Sequence, residues 1–204
     1  MTRVSWNKLL HPIVYIFFEW ECEEKYFEKV KLIYKNPHLK IKTINLERWW
    51  VVKNTRKLNR KIIETLSKDK VHWFKIEQKA FVVFDIDIYN KSEIDNLYSE
   101  IDRRIYLIPS NWTFEYWILS HFKKYSISSW KNKYLIEIKK FFTPQNDKFT
   151  WKRDFDFLNE DNICLAIKNV EDINTSFWKI HLKDKDPYSE VIKIFDLVNW
   201  LCKK

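Results

Sequence analysis

The sequence predicts an α/β fold in which helices flank both faces of a mostly parallel central sheet, with a helical C-terminal portion. Short apolar runs typical of buried strands alternate with amphipathic segments of helical period through the first half of the chain. The 204 residues are 46% hydrophobic and 18% aromatic, which is sufficient for one well-packed core. In such folds the carboxyl ends of the parallel strands share one edge, where ligands bind.

The first predicted pair of elements is a buried strand followed directly by a helix. Residues 13–18 are uniformly apolar and end at Glu19. From there to about Tyr34, aromatic and aliphatic side chains recur at three- and four-residue steps, which is an amphipathic helical pattern. Glu19 is therefore expected at a junction between a strand and a helix.

The second pair is more polar. Residues 39–46 alternate apolar and polar side chains, which predicts a half-exposed strand. Either Asn54 or Thr55 could cap the helix that follows, whose leucines and isoleucines have helical spacing.

The third strand, predicted from Phe81 to Asp87, carries the first indication of function. Four large apolar residues come first, and then Asp85 and Asp87 follow with one residue between them. Alternate residues of an extended chain point to the same side, so these carboxylates should lie together at a strand end. Adjacent carboxylates repel unless a proton or a cation lies between them, which predicts a Mg²⁺-type site. The alternative is two solvated residues that lead into a turn.

A helix that starts at Ser92 and a short strand over residues 104–108 continue the alternation. Residues 112–125 then predict a helix with a wide apolar face. Its candidate catalytic residues are Glu115 and His121, and the alternative for His121 is an ordinary packing role in the core.

The last third of the chain predicts further helices over residues 134–142 and 160–170, and a final helix from Tyr188 to Leu201 opened by Pro187. We therefore divide the chain into an α/β core over residues 1–125 and a helical C-terminal extension over residues 126–204. The extension is expected to pack on the core as part of one compact domain.

The charge balance favours a polyanionic partner. The formal net charge is +9 and the isoelectric point is about 9.3, which is typical of proteins that bind nucleic acid. The candidate nucleic-acid-binding residues are Lys123, Lys124, Lys152 and Arg153. The alternative is an ordinary solvated surface.

Three cysteines without paired spacing argue against a disulfide framework and against a zinc site, and they fit a reducing compartment. The longest apolar run near the start, residues 13–18, is too short to span a bilayer and lacks the shape of a signal peptide. We therefore expect a cytoplasmic protein that has no membrane partner.

Three segments resemble motifs of the RloB-like family, whose core is a Toprim-type fold. Residues 19–27 (EWECEEKYF) are similar to that family's E-G-x-T-E-x-x-Y-F segment, and residues 84–87 (FDID) are similar to its D-x-D strand. Residues 110–122 (SNWTFEYWILSHF) look like its S-N-P-x-F-E-x-W-x-L-x-H-F signature, which is long and specific. The resemblance covers most of the chain.

This resemblance implies a Toprim-like core with an acidic cluster that binds Mg²⁺ or Mn²⁺ and hydrolyses phosphodiesters. Transferred residue by residue, the metal ligands would be Glu19, Asp85 and Asp87, with Glu23 as a fourth. The resemblance also implies a nucleic-acid substrate, either DNA or RNA, an ATPase partner protein, and an abortive-infection role in antiviral defence of bacteria.

The chain departs from the family pattern at two tryptophans. Trp20 stands where the family has glycine, and Trp112 stands where it has proline. An indole beside Glu19 could block the approach of a phosphate or force a different turn. Two hypotheses therefore stay open: a metal-dependent nuclease, and a catalytically impaired Toprim-like subunit that binds nucleic acid or regulates an ATPase.

Overall fold

A computed structural model provides the structure, which describes residues 13–34, 40–46, 51–68, 78–86, 89–111, 114–124, 131–142, 155–174 and 188–197. Twelve elements follow one another in these ranges. They are β1 (Ile13–Phe18), α1 (Glu21–Ile33), β2 (Lys40–Asn45), α2 (Thr55–Lys68), β3 (Gln78–Asp85), α3 (Lys91–Glu100), β4 (Ile105–Asn111), α4 (Phe114–Ser120), α5 (Lys131–Phe142), α6 (Glu160–Asn174), β5 (Tyr188–Ser189) and α7 (Ile192–Leu197).

The described strands form one sheet in the order β2-β1-β3-β4-β5. The first four are parallel, and β5 pairs antiparallel with β4. Each parallel neighbour requires a crossover connection, which the helices supply. The predicted α/β fold with a mostly parallel, helix-flanked sheet is therefore confirmed. The predicted boundary between residues 125 and 126 lies outside the described residues.

Both faces of the sheet are buried, which explains the uniformly apolar strands. Val14, Ile16 and Phe18 of β1 point to a core that also contains side chains of α1 and of α4 to α7. Tyr15 and Phe17 point to a second core, under α2 and α3. Because side chains alternate along a strand, a strand between two helical layers must be apolar at every position.

The helices begin at side-chain caps where the sequence offers them. Asn54 Oδ1 accepts a hydrogen bond from the backbone N of Lys57 at 3.0 Å, so Asn54 is the residue that caps α2. Asn90 and Glu93 exchange two hydrogen bonds at the start of α3, which form a capping box. This cap places the start of α3 at Lys91, one residue before the predicted Ser92.

Two strand boundaries differ from those predicted. β3 begins at Gln78 rather than Phe81, and the predicted end at Asp87 lies outside the described residues. β4 continues through Pro109 to Asn111. The O atom of Ser110 accepts a hydrogen bond from N of Ile86 on the β3 side, whereas the O atom of Pro109 accepts one from N of Glu190 on the β5 side, each at 2.9 Å. The missing N–H of Pro109 therefore faces away from β3, and the parallel ladder loses no bond.

Two predicted helices also differ in extent. Tyr188 and Ser189 are strand residues paired with Asn111 and Ser110, so the last helix begins only at Ile192. The reason is long-range pairing with β4, which helical periodicity cannot reveal. α4 spans only Phe114–Ser120, because the chain then turns with bonds to carbonyls three residues earlier.

The cysteine prediction needs a correction. Cys164 in α6 is disulfide-bonded, whereas Cys22 is a free thiol. Pairing depends on the distance between two cysteines in the fold, which their sequence spacing does not show. No helix in the described ranges combines the length and the apolar character needed to cross a bilayer.

His121 lies in the core immediately after α4. Its Nδ1 is 2.9 Å from the carbonyl O of Trp117, and its Nε2 is 3.0 Å from the hydroxyl of Tyr26. A carbonyl only accepts, so Nδ1 must carry the proton and Nε2 accepts from the Tyr26 hydroxyl. Burial lowers the pKa of His121 from 6.5 to about 4. The imidazole is therefore neutral at physiological pH.

We expect this imidazole to make the fold sensitive to acid. Its pKa is lowered on folding, so its contribution to stability is complete above pH 6.5 and is lost as the pH falls towards 4. The free energy of unfolding decreases by on the order of 3 kcal/mol over this pH range. Urea unfolding with a chelator present should therefore show that the stability difference between wild type and His121→Gln narrows from pH 7.5 to pH 4.5. A difference that stays constant over this range would contradict the prediction.

Candidate functional site

Three parallel strands bring polar residues to one edge of the sheet. Phe18, the last residue of β1, pairs with Val83 of β3, and Asp85 at the end of β3 pairs with Ser110 of β4. Glu19 follows Phe18 directly. Glu19, Asp85 and Ser110 therefore lie along the carboxyl edge, as the strand pattern predicted for the two acids.

Glu23 adds a third carboxylate from the first turn of α1. Its side chain is fully buried. Oε2 accepts hydrogen bonds from the backbone N of Glu19 and of Trp20, each at 3.1 Å. These contacts fix the short turn that leads from β1 into α1.

The three carboxylates form one electrostatic group. Glu19 is 5% exposed and Asp85 is 9% exposed. Burial, followed by the charge of Asp85 and then that of Glu19, raises the pKa of Glu23 well above its ordinary value. Glu23 therefore holds a proton more readily than an ordinary glutamate does.

Cys22 and Glu115 belong to the same neighbourhood. Burial raises the pKa of the Cys22 thiol, and the charges of Glu23, Glu115 and Asp85 raise it further. The thiol is therefore protonated at neutral pH, which makes it a poor nucleophile. Glu115, in the first turn of α4, is only half-buried, so its carboxylate is reachable from solvent.

The donor chemistry of the site suits a hard cation. Carboxylate oxygens are the ligands that Mg²⁺ and Mn²⁺ prefer. Oε1 of Glu23 is shielded from solvent and accepts no hydrogen bond from the part of the chain that the structure describes. Over those same residues, no group of three or more acids, histidines or cysteines could hold a metal ion. Glu19, Glu23 and Asp85 therefore do not form a metal-binding group by themselves, and Asp87 lies outside the described residues.

The backbone at Trp20 does not require glycine. Its φ is −126° and its ψ is 149°, an extended conformation that any residue adopts. The indole is half-buried. Trp20 therefore does not distort the turn at Glu19.

The C-terminal part of the chain reaches the same edge, which sequence reasoning missed. Ser110 and Ser189 share a buried hydrogen bond of 2.9 Å between their hydroxyls. Asn174 Nδ2 donates to the carbonyl of Ser189 at 2.6 Å. This arrangement fastens β5 to the outer side of β4, where Ser189 pairs with Ser110 and Ser110 pairs with Asp85. Residues 181–190 (HLKDKDPYSE) are mostly polar and contain no strand pattern that would have indicated β5.

The other predicted site residues lie elsewhere. His121 has both ring nitrogens engaged in the core, as described above. Lys123 forms an ion pair with Glu137, whose pKa is lowered to about 2 by the hydrogen bonds from Lys123 and Lys140. Lys124 pairs with Asp172 at 2.9 Å. Lys152 and Arg153 lie outside the described residues, and nucleic-acid binding by these four residues stays a prediction.

A basic helix surface was also missed. Residues 53–68 contain six lysines and arginines and one acid, Glu64. The exposed basic side chains are Lys53, Arg56, Lys57, Arg60 and Lys68, and we refer to them as the α2 basic face. The opposite stripe of α2, which includes Leu58, Ile62 and Leu66, is buried. The excess of basic residues over residues 53–68 was the feature of the sequence that could have indicated this surface.

Comparison with known protein families agrees with the motifs. A family model described as RloB-like protein matches residues 14–198. No curated protein and no solved structure matches the chain. The matched range includes the strand ends, the turn at Glu19 and the C-terminal strand. The chain therefore belongs to the RloB-like protein family.

Proposed function

We propose that this RloB-like protein is a metal-dependent nuclease that hydrolyses phosphodiester bonds at the acidic edge of its sheet. The observation that carries the proposal is the group formed by Glu19, Glu23 and Asp85, which are buried together and coupled through their charges. Buried like charges disfavour the fold unless a proton or a cation neutralises part of them. A group of buried acids that is kept despite this loss of stability is a candidate catalytic site.

The residues that would hold Mg²⁺ or Mn²⁺ are Glu19, Glu23 and Asp85, together with Asp87. When bound, such an ion neutralises charge on a phosphate and activates a water molecule for attack. The turn held by Glu23 orients Glu19, and the β3–β4 pairing orients Asp85. The backbone at Glu19 and at Asp85 is thus held by hydrogen bonds before a substrate binds.

Glu115 is the carboxylate that we assign to proton transfer. It is near enough to Cys22 for its charge to raise the pKa of that thiol, together with the charges of Glu23 and Asp85. It is also half-buried rather than buried, so a water molecule can reach it. His121 has a positioning role in this proposal, because it fixes Tyr26 against α4 through a hydrogen bond.

The α2 basic face is the surface that we assign to the phosphate backbone of the substrate. Arg56 and Lys57 stand in the first turn of α2, where positive charge opposes the helix dipole, and that turn contains no acid. Arg56 and Arg60 are like charges at a spacing of four residues, which disfavours the helix, while Arg60 Nε also lies 3.9 Å from Oε1 of Glu64. A helix that keeps such unfavourable charges on an exposed face suits a polyanionic partner.

A role in antiviral defence, together with an ATPase partner, is part of the same proposal and rests on the resemblance of the motifs. The second candidate function is a catalytically impaired subunit that binds nucleic acid or regulates that partner. Trp20 is the observation that favours it, since a bulky residue follows Glu19 directly where the family has glycine.

The decisive test of the nuclease is metal-dependent cleavage. We expect the full chain to cut a supercoiled plasmid or a single-stranded RNA with Mg²⁺ or Mn²⁺, and Asp85→Asn to lower the rate on the order of 10²-fold or more. The matched control is Asp196→Asn, an exposed residue of α7, which should cleave like wild type. Gel electrophoresis of the products gives the rates.

Equal cleavage by wild type and Asp85→Asn would refute the assignment of the site. If wild type binds nucleic acid but cuts neither substrate with either ion, the impaired-subunit function takes its place.

Neutralising the α2 basic face should weaken binding without weakening the fold. We expect Arg56→Gln/Lys57→Gln to reduce the salt dependence of duplex DNA binding by about two ion equivalents. Its melting temperature should stay close to that of wild type, because both side chains are exposed. Fluorescence anisotropy in EDTA with a labelled DNA duplex and a labelled single-stranded RNA measures both affinities.

Lys139→Gln/Lys168→Gln is the control for that experiment, since it removes the same charge from exposed positions of α5 and α6. The binding of duplex DNA by this control variant should have the same salt dependence as binding by wild type. Equal losses in the two double variants would mean that only net charge matters and that α2 has no special role.

A further inference from the structure

A series of aromatic side chains in contact leads from the core to the surface beside α5. The ring of Phe157 has its centroid 6.2 Å from that of Phe155 and 4.8 Å from that of Phe122. Phe122, just after α4, is in turn 4.7 Å from Phe141 in the last turn of α5. Phe155 is buried, Phe157 and Phe122 are half-buried, and Phe141 is 44% exposed. Phe141 is therefore the outer end of this aromatic series.

The outermost pair differs from the inner ones in its geometry. The planes of Phe122 and Phe141 are inclined by only 15°, so these rings are stacked. The inner contacts of Phe157, with Phe122 and with Phe155, are tilted by 43° and 50°. Tilted contacts are common where aromatic rings fill a core, whereas a stacked pair presents parallel faces. The flat ring of Phe141 is thus held against the protein while much of its surface meets solvent.

Positive charge lies beside the exposed ring. Nζ of Lys123 is 5.8 Å from the centroid of Phe141. Lys123 and Lys140 both form ion pairs with one acid, Glu137, so positive charge is in excess here. Lys140 is exposed, and exposed ion pairs contribute little to stability. A phosphate can therefore take the place of the carboxylate beside Lys140 with little loss of stability.

We propose that Phe141 is a stacking platform for an unpaired base of a single-stranded nucleic acid, with Lys123 and Lys140 bound to the adjacent phosphates. An aromatic ring between cations is how proteins hold single strands without reading their sequence. The bases of a duplex are already paired and stacked, so only an unpaired base can lie on the ring. This inference rests on the proposed function for a nucleic-acid substrate, and it narrows that substrate to a single strand. The alternative is that Phe141 only closes the aromatic series.

Three variants separate these roles. Phe141→Leu keeps an apolar contact with Phe122 but removes the aromatic face. Phe141→Tyr keeps that face. Ile136→Ala is the matched control, because Ile136 is an exposed apolar residue of the same helix, at 54% exposure, and has no ring.

The first measurement is fluorescence anisotropy in EDTA with three labelled probes: a natural single strand, an abasic strand of equal length and charge, and a duplex. We expect wild type to bind the natural strand about tenfold more tightly than the abasic strand, since stacking on a side chain supplies an affinity of this order. Phe141→Leu should lose this preference, and Phe141→Tyr and Ile136→Ala should keep it. Duplex binding should be the same in all four proteins.

The second measurement uses wild type alone. A single strand that contains 5-iodouridine is irradiated in the complex, and mass spectrometry of the digested protein locates the crosslink. We expect the crosslink at Phe141.

Each outcome decides the inference. If Phe141→Leu prefers the natural strand as strongly as wild type does, Phe141 is not the platform. Equal losses of affinity for the single strand and for the duplex would also overturn the inference, because base stacking acts only on the former. Should Phe141→Leu fail to fold, the crosslink decides: attachment at Phe141 supports the platform, and its absence there refutes it.

The nuclease and the platform can fail separately, because neither measurement requires cleavage. A chain that stacks a base on Phe141 but cuts no nucleic acid would refute the nuclease and leave this inference intact. A chain that cuts nucleic acid but binds natural and abasic strands equally would refute only the platform.

Discussion

A fully buried carboxylate, Glu23, is the constraint on which the rest of the site depends. It bonds to two backbone amides of the turn at Glu19 and lies within the electrostatic reach of Asp85. Charge of this kind is unfavourable in a protein interior unless something compensates for it. Its hydrogen bonds hold the turn against the start of α1, and the charge of Asp85 at the end of β3 acts on the same carboxyl group.

The sheet makes that arrangement possible because β1 and β3 are parallel neighbours whose side chains are buried on both faces. The register of the strands then determines which residues are neighbours across the sheet, and it pairs Asp85 with Ser110. The late strand β5 closes the same edge through the hydroxyl pair of Ser110 and Ser189. The position of Asp85 therefore depends on the pairing of β3 with β4 as well as on β3 itself.

The structure sorts polar residues that look alike in the sequence into different physical roles. His121 has its ring nitrogens bonded to Tyr26 and to the backbone of Trp117, which makes it a neutral core residue. Lys123 and Lys124 hold the end of α4 to acids of α5 and α6. Their spacing in the chain gave no sign of these partners, because the partners are distant in sequence.

The sequence by itself determined the α/β class, the strand of β1, the helices α1 and α2, and the meeting of Glu19 and Asp85 at one edge. These features follow from local periodicity and from the geometry of parallel strands, which short segments already express. Only the tertiary structure decided that Tyr188 and Ser189 join the sheet, that β4 runs through Pro109, and that Glu23 holds the turn at Glu19. Each of those depends on a hydrogen-bond partner that the fold, rather than the local sequence, brings within reach.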